Sequence, residues 1–339
     1  MSSSISSSDG AAPKAWRRWL AIYAATLAAG VAALWIFVVV SDPFSTGRLT
    51  PLRGIEIASS VRTLANAGRV RDPNFDSAMI GNSISTRFEP DRLNALSGLR
   101  LLQLSIPGLG PDEELTLARA FVRAHGGSVK SIVAMLETSW CNTDERTLLR
   151  YPSFPYWLYD SNDFDYLRNI LSRDSMQAAF HRVAIRLGLA PEPARRDGYV
   201  PNDQRGIWRP DRVAGLASAK RPTRAPFENK TFSALERLDQ FSRMLDPATE
   251  LVMVLLPFHV SALPEPGSEA AAWLDACKAR IKAIAEARPR TLFIDRMLED
   301  DITRDPNNFW DAKHVRDEFI RGIEDDIANG LAALGRRPS

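Results

Sequence analysis

The chain has 339 residues, enough for one large domain or two smaller ones, and its 45% hydrophobic and 25% charged residues are ordinary for a globular protein. Its formal net charge of +2 is carried by the first 19 residues, where three basic side chains outweigh Asp9. The balanced remainder lacks the electrostatic footprint of a nucleic-acid-binding protein, so no nucleic-acid partner is predicted. No cysteine or histidine spacing typical of a zinc site occurs, and neither a metal nor a cofactor is expected.

The first predicted element is a membrane-spanning helix. No charged residue occurs from Leu20 to Val40, and a helix of that length reaches about 30 Å, the thickness of a bilayer core. The bulky run LWIFVVV, rather than a small-residue cleavage site, precedes Ser41, so residues 16–41 are interpreted as an uncleaved signal-anchor. The alternative, a buried core helix, is disfavoured by the length and unbroken apolarity of the run.

The charges beside this span predict its orientation. Three basic residues precede it and Asp42 follows it, so the positive-inside rule places residues 1–15, a predicted disordered tail, in the cytoplasm. No later segment is long and apolar enough to cross back. The prediction is a single-pass protein whose partner is the lipid bilayer through residues 20–40 and whose main domain is extracytoplasmic.

Short apolar runs after the span predict strands separated by helices. Most of these runs are continuous rather than alternating, which is typical of strands buried on both faces of a parallel sheet. The predicted strands are residues 77–81, 99–106, 131–137, 250–258 and 290–297. A run that begins PDEEL and ends in Gly-Gly has helix-capping residues, and Phe319, Ile323, Ile327 and Leu331 mark the buried face of a last helix. The predicted class is α/β, a three-layer α/β/α fold with a mainly parallel sheet of about five strands, preceded by one N-terminal transmembrane helix.

The organisation of the domain follows from this alternation. Residues 42–75 are predicted to be a linker and first helix, and residues 76–335 to be the domain itself. Residues 141–230, rich in aromatic, proline and polar residues, interrupt the rhythm and are interpreted as an insertion between the third and fourth strands. A lid or substrate surface and a packing elaboration are both open interpretations of it.

The two cysteines, Cys141 and Cys277, lie far apart in the sequence. One disulfide could form in an oxidising compartment. Two unpaired structural thiols are favoured, because nothing in the sequence brings the two residues together.

Two glycine-containing turns follow the first two predicted strands. Gly81-Asn82-Ser83 could present the Ser83 hydroxyl at the edge of the sheet, with the Ser83 N–H free to bind an oxyanion. Gly108, in SIPGLG, would let the backbone approach closely and offer a second N–H donor. Each stretch alone also reads as an ordinary turn.

The third polar signal lies near the C-terminus, in NNFWDAKHVRDEF. The spacing of Asp311 and His314 lets the carboxylate accept from the imidazole Nδ1–H and fix the tautomer, leaving Nε2 as a general base. A lone Asp-x-x-His is often a capping group. The chain, however, has only four histidines, and this one precedes a predicted helix where a distant serine would need it.

Taken together, MIGNSIS, SIPG and WDAKHV resemble the motifs of the SGNH/GDSL hydrolase superfamily over about residues 75–330. More narrowly, the chain is similar to membrane-anchored bacterial members, the DltD-like and alginate-acetylation proteins, which act on envelope polymers. The resemblance implies an SGNH/flavodoxin-like fold at the bacterial inner membrane with the main domain in the periplasm.

Carried over residue by residue, the resemblance implies that Ser83 is the nucleophile, His314 the base and Asp311 its orienter, with the N–H groups of Ser83 and Gly108 as oxyanion donors. Asn82 replaces the family's usual aspartate, which is not a triad member. The family's Gly-x-Asn-Asp block after the third strand is absent.

The third strand is instead followed by polar residues in MLETSWCNTDE. Glu137, Thr138 and Asn142 are the nearby candidates for the third oxyanion donor, and we predict that Asn142 fills this role. His259, at the end of the fourth predicted strand, is a candidate substrate contact, and a core or solvated histidine is the alternative.

These features predict an extracytoplasmic serine esterase or O-acyltransferase that acts through an acyl-enzyme on an envelope polysaccharide or similar ester. A transferase would need an acyl donor, which a membrane partner could supply. The alternative is a non-catalytic binding or scaffold protein of SGNH-like fold in an envelope polysaccharide assembly. The missing block favours that alternative, and the intact serine, aspartate and histidine oppose it.

Overall fold

The computed structural model describes residues 12–142, 154–201, 213, 215–216, 218–226 and 231–335. Most of the predicted tail and parts of the predicted insertion lie outside the described residues. The strands of the described part form one parallel sheet in the order β2-β1-β3-β4-β5. They are β1 (Ser77–Ile80), β2 (Leu101–Gln103), β3 (Ser131–Leu136), β4 (Glu250–Leu255) and β5 (Thr291–Asp295). The predicted α/β class and parallel sheet are confirmed.

Helices cover both faces of this sheet. In chain order they are α1 (Ala12–Ser41), α2 (Arg62–Arg69), α3 (Pro90–Ser97), α4 (Pro111–His125), α5 (Tyr156–Tyr159), α6 (Asp163–Asn169), α7 (Arg173–Arg186), α8 (Ser233–Met244), α9 (Glu269–Glu286), α10 (Asp301–Arg304) and α11 (Asp317–Gly335). Helices α3 and α11 pack together on one face, and α4, α8 and α9 pack on the other. Every residue of β1, β3 and β4 is buried between the two layers, which explains why their sequences are continuously apolar.

The strand order creates a crevice beside the end of β1. The chain leaves β1 towards β2 on one side and then crosses back over β1 to reach β3 on the other. The loops after β1 and β3 therefore diverge to opposite faces, and in doubly wound sheets ligands bind at this switch point, beyond the carboxyl ends of the strands. Ser83 follows β1 by three residues.

Helix α1 is the single candidate membrane span among the described residues: Ala15–Ser41 is long and apolar enough to cross a bilayer. Most of it is exposed, but Val38 and Val39 are buried against the domain. The chain beyond α1 reaches the sheet through the turn at Asp42, whose carboxylate accepts from Thr46 N–H at 2.9 Å. The C-terminal end of the span is thus part of the packed domain.

The described part of the 141–230 stretch contains helices α5 to α7 and a return segment near residue 198. The return segment lies along β2, where Gln103 N–H donates to Asp197 O at 2.8 Å. Gly198 follows with a positive φ of 80°, and a Cβ at this position would collide with Gln103 O. This contact pairs one backbone N–H on the free edge of β2, which would otherwise remain unpaired.

The two cysteines correct the sequence-based expectation of unpaired thiols. Cys141 and Cys277 form a disulfide, with their Cα atoms 5.6 Å apart and a separation of 136 positions in sequence. Cys141 ends the 3-10 turn after β3, and α9, which carries Cys277, packs on that turn. The pairing depends on how a distant helix crosses the sheet, which neither local sequence contains.

Candidate active site

The turn that carries Ser83 is held tightly against the sheet. Ser83 begins a 3-10 turn, Ser83–Ser85, directly after Gly81 and Asn82. A Cβ on Gly81 would lie 2.9 Å from Ser85 Cβ and 3.0 Å from Met135 Cβ, so a side chain at position 81 does not fit. The glycine lets the chain turn sharply enough to leave Ser83 partly exposed at the end of β1.

Asn82 fixes this turn from two sides. Its Oδ1 accepts from Ile84 N–H at 3.3 Å, and its Nδ2 donates to Glu137 Oε1 at 3.3 Å. Glu137 is buried at the end of β3 and also accepts from Thr138 Oγ1 at 3.1 Å. The asparagine therefore connects the serine turn to the neighbouring strand end. The sequence alone indicates that Asn82 replaces a family aspartate and does not predict its pairing with Glu137.

Asp311 and His314 lie in a small hairpin before α11. Phe309 and Val315, both buried, form an antiparallel bridge, and Trp310 N–H donates to His314 O at 2.8 Å. Within the hairpin, Asp311 Oδ1 accepts from Lys313 N–H at 2.8 Å, as in an Asx turn, and also from His314 N–H at 2.9 Å. The Asp311 carboxylate therefore bonds both to the backbone N–H of His314 and to the side chain of His314.

The structure brings Ser83, His314 and Asp311 into one hydrogen-bonded chain. His314 Nε2 lies 3.0 Å from Ser83 Oγ, although the two residues are 231 positions apart. His314 Nδ1 lies 2.9 and 2.8 Å from the two Asp311 carboxylate oxygens. With the proton on Nδ1 donated to Asp311, Nε2 is the acceptor for the Ser83 hydroxyl, which is the arrangement of a serine nucleophile and its base.

The charge of Asp311 is maintained by its partners. Partial burial would raise the pKa of Asp311, but the hydrogen bonds from the His314 side chain and the Lys313 N–H outweigh it and lower the pKa to about 2. The carboxylate is therefore ionised at any ordinary pH and can stabilise a protonated His314. Its side chain is 56% exposed, so water also has access to it and weakens the interaction.

Two backbone N–H groups of the predicted oxyanion site are available. Among the described residues, neither the Ser83 N–H nor the Gly108 N–H has a hydrogen-bond acceptor. Gly108 lies in an exposed turn with a φ of 85°, a conformation that favours glycine. The turn belongs to the loop after β2, which is fixed beside the Ser83 turn by the 3.1 Å bond from Ile106 N–H to Gly81 O. A donor role for Gly108 stays a prediction.

Asn142, the predicted third donor, follows the disulfide-bonded Cys141 and is partly exposed. Its own N–H donates to Ser139 O at 3.1 Å, which leaves its side-chain amide as the donor group for this role. Thr138 and Glu137, the other two candidates, are bonded to each other.

His259 lies behind the hairpin and not on an open surface. Only 1% of it is exposed, its Nδ1 accepts from Ser261 N–H at 3.1 Å, and its ring packs edge-on against Phe309. The backbone N–H of His259 donates to Ala312 O at 3.0 Å. Ala312 lies between Asp311 and His314 in the hairpin. Burial also lowers the pKa of the His259 imidazole, which favours the neutral form. This placement suits a support for the hairpin and does not suit the predicted substrate contact.

A second support for the hairpin, which the sequence alone does not predict, comes from the loop after the Ser83 turn. Arg87 pairs with Asp317 at 2.8 Å and lies over the Trp310 ring at 5.0 Å. Because Trp310 is next to Asp311, this contact joins the serine side of the site to the hairpin. No local motif marks it, since Arg87 and Asp317 are 230 residues apart.

No group of side chains suited to hold a metal ion occurs among the residues that the structure describes. Comparison of the chain with protein-family models and with curated protein sequences finds no match. The SGNH/GDSL resemblance therefore stays a prediction, which rests on three short motifs and is compatible with the geometry of the site.

Proposed function

We propose that the protein is a membrane-anchored serine esterase or O-acyltransferase of the SGNH type. The observation that carries the proposal is the chain of hydrogen bonds from Ser83 through His314 to Asp311, assembled from opposite ends of the domain. It lies at the switch point of a doubly wound sheet, where ligands of such folds bind. A capping role explains Asp311 alone but not the 3.0 Å approach of His314 to Ser83.

The residues support acyl transfer in two steps. Ser83 Oγ attacks the ester carbonyl while His314 Nε2 takes its proton, and the oxyanion that forms is bound by the N–H groups of Ser83 and Gly108. The proton on Nε2 then passes to the departing alkoxide, which leaves an acyl group on Ser83. Water or a sugar hydroxyl, deprotonated by the same Nε2, attacks that acyl group and restores the serine. Asp311 stabilises the imidazolium in both steps.

Two features of helix α1 favour an uncleaved signal-anchor over a cleaved signal sequence. An apolar helix whose side chains are exposed over most of its length has a lipid bilayer as its natural solvent. Its last residues are integrated in the domain, where Arg182 donates to Ser41 O at 2.9 Å and pairs with Asp42 at 3.2 Å. Removal of the helix as a signal sequence would strip Val38 and Val39 from the packed domain. We therefore favour a signal-anchor.

The compartment follows from chemistry and from the family resemblance. Disulfides persist in oxidising compartments such as the bacterial periplasm, which fits the Cys141–Cys277 bond. The basic residues before the span assign its N-terminus to the cytoplasm. We accordingly propose a single-pass protein of the bacterial inner membrane with a periplasmic domain that acts on an envelope polysaccharide. As a transferase it would receive its acyl group from a membrane partner.

Labelling of the purified full-length chain with a fluorophosphonate probe tests the proposal. Wild type should be labelled, Ser83→Ala and His314→Ala should not be, and the exposed serine variant Ser60→Ala should behave as wild type. Absence of labelling in folded wild-type protein would favour the non-catalytic scaffold alternative.

A second assay separates the two enzyme classes. Hydrolysis of p-nitrophenyl acetate is measured with and without an oligosaccharide acceptor, and the acceptor is examined by mass spectrometry. Acetylated acceptor would assign a transferase, and release of acetate alone would assign an esterase.

A further inference from the structure

The last two turns of α1 are covered by helices α6 and α7. Trp35 Nε1 donates to Leu167 O of α6 at 3.2 Å, and the Phe37 ring lies 4.8 Å from the Phe180 ring of α7. Both α1 residues belong to the apolar run that ends at Val40. The two helices therefore contact the candidate membrane span itself and not only the chain that follows it.

The contacts also give the direction of the two helices. Before α6, Asp160 pairs with Arg48 at 3.5 Å, beyond the end of the span, whereas Leu167 near the end of α6 meets Trp35 within it. Helix α7 runs the opposite way, because Phe180 meets Phe37 and the later residue Arg182 meets Ser41. The turn between α6 and α7, residues 170–172, is consequently the end of this hairpin that is nearest the bilayer.

The depth of that turn can be estimated from helix geometry. At about 1.5 Å per residue, Leu171 lies one turn, about 6 Å, closer to the bilayer centre than the α6 residue level with Trp35. Trp35 itself is about 7.5 Å along the axis from Val40. A bilayer core about 30 Å thick that begins at Leu20 ends near Val40 and would place the turn about 13 Å below its surface, too deep for the charged residues beside the turn. A core that begins at Trp16 ends near Trp35 and places the turn about 6 Å below its surface, close to the interfacial region.

The exposed side chains of the hairpin suit a lipid interface. Phe164, Leu171 and Phe180 are exposed, and the turn is flanked by the exposed residues Arg168 and Arg173, with the exposed Asp174 next to the latter. Exposed aromatic and leucine side chains beside arginines are typical of segments that lie in the headgroup region, where the apolar parts face the acyl chains and the arginines reach phosphate. In water the same apolar surface would remain uncovered.

The hairpin cannot swing away from the span, because it is locked to the exit of α1. Arg182 is 1% exposed and joins three segments: it donates to Ser41 O at 2.9 Å and to Glu56 Oε2 at 2.9 Å, and it pairs with Asp42. A buried charge held by this many partners is costly to displace. The depth of the hairpin is therefore set by the depth of α1.

We propose that the α6–α7 hairpin, residues 163–186, is a second membrane contact whose turn inserts into the interfacial region of the outer leaflet. Its partner is the lipid bilayer, because the surface is continuous with a span that has the same partner. The inference rests on the proposed anchoring of α1. Two attached points, unlike one, would fix the orientation of the catalytic domain relative to the membrane.

Quenching by lipid tests this contact. The full-length variant Leu171→Cys is labelled with the fluorophore NBD under non-reducing conditions, where the native cysteines stay paired, and reconstituted into vesicles of phosphatidylcholine with phosphatidylglycerol. Lipids that carry a nitroxide near the headgroup should remove more than half of its emission, and aqueous iodide should remove little. Leu96→Cys on α3, exposed to 48% where Leu171 is exposed to 41%, is the matched control and should respond to iodide alone.

Leu27→Cys, in the middle of α1, separates this inference from the anchor on which it rests. Quenching at position 171 by nitroxides near the headgroup, together with quenching at position 27 by nitroxides on the acyl chains, supports both proposals. Quenching at 27 with an iodide response at 171 equal to that at 96 overturns the second contact and leaves the anchor intact; the hairpin surface would then be free for a protein partner. An iodide response at position 27 overturns the anchor and the hairpin contact together. The vesicles contain no protein other than this chain, so quenching by lipid at position 171 cannot come from a different bound protein.

Discussion

Replacement of Asp311 by asparagine isolates the electrostatic part of the site. The Asp311→Asn side chain would keep an oxygen where Asp311 Oδ1 accepts from His314 N–H, so the hairpin turn should persist. The other carboxylate oxygen, 2.8 Å from His314 Nδ1, would become an NH2 group that donates. Because this NH2 group can bond only to an unprotonated Nδ1, it favours the tautomer with the imidazole proton on Nε2, although the retained oxygen also lies 2.9 Å from Nδ1. In that tautomer Nε2 cannot take a proton from Ser83.

The size of the effect follows from the exposure of the carboxylate. The same change at a buried triad aspartate lowers kcat by about 10⁴. Asp311 is 56% exposed, so water can replace it in part as the acceptor for Nδ1–H. We expect a loss of about 10²–10³, or about 3–4 kcal/mol of transition-state stabilisation. The free energy of unfolding should change by less than about 1 kcal/mol, because the pair is largely solvent-accessible.

The assay is the second-order rate constant for fluorophosphonate labelling of the full-length chain, beside the thermal unfolding midpoint. Asp301→Asn, a fully exposed carboxylate in the first turn of α10, is the matched control and should leave both quantities unchanged. If Asp311→Asn were labelled as fast as wild type while His314→Ala stayed unlabelled, the role assigned to Asp311 would be refuted.

Three further predictions concern the frame of the site. Gly81→Ala forces a Cβ against Ser85 and should lower the labelling rate at least about tenfold, since small displacements of a nucleophile are costly; an unchanged rate would contradict the tight turn. Cys141→Ser with Cys277→Ser should destabilise the domain by about 2–4 kcal/mol and lower its melting temperature by about 5–15 °C, as calorimetry would measure, and an unaltered midpoint would mean that the bond contributes nothing. The pKa of Asp311, lowered to about 2, predicts a stabilising contribution that is present above about pH 4 and lost as the pH falls through 2; a carboxyl ¹³C titration with a midpoint near that of free aspartate, about 3.9, would disprove it.

The strands, the long apolar helix and the three residues of the candidate triad could all be predicted from the sequence, because these features are encoded locally. A continuous apolar run predicts a strand that is buried on both faces of a sheet. The unbroken apolar stretch up to Val40 is long enough to predict a helix that can span a bilayer. The Asp311–His314 spacing makes its own turn, and Ser83 follows a glycine that the turn requires.

Other features depend on how distant segments cross, and they emerge only when the chain is folded. The Cys141–Cys277 bond needs α9 to pack on the end of β3, and the burial of His259 needs the hairpin to close over it. The Arg182 contacts join the span to a helix about 140 residues later. Such pairs leave no periodicity or motif in the chain, because their partners are chosen by the packing of whole elements and not by neighbours in sequence.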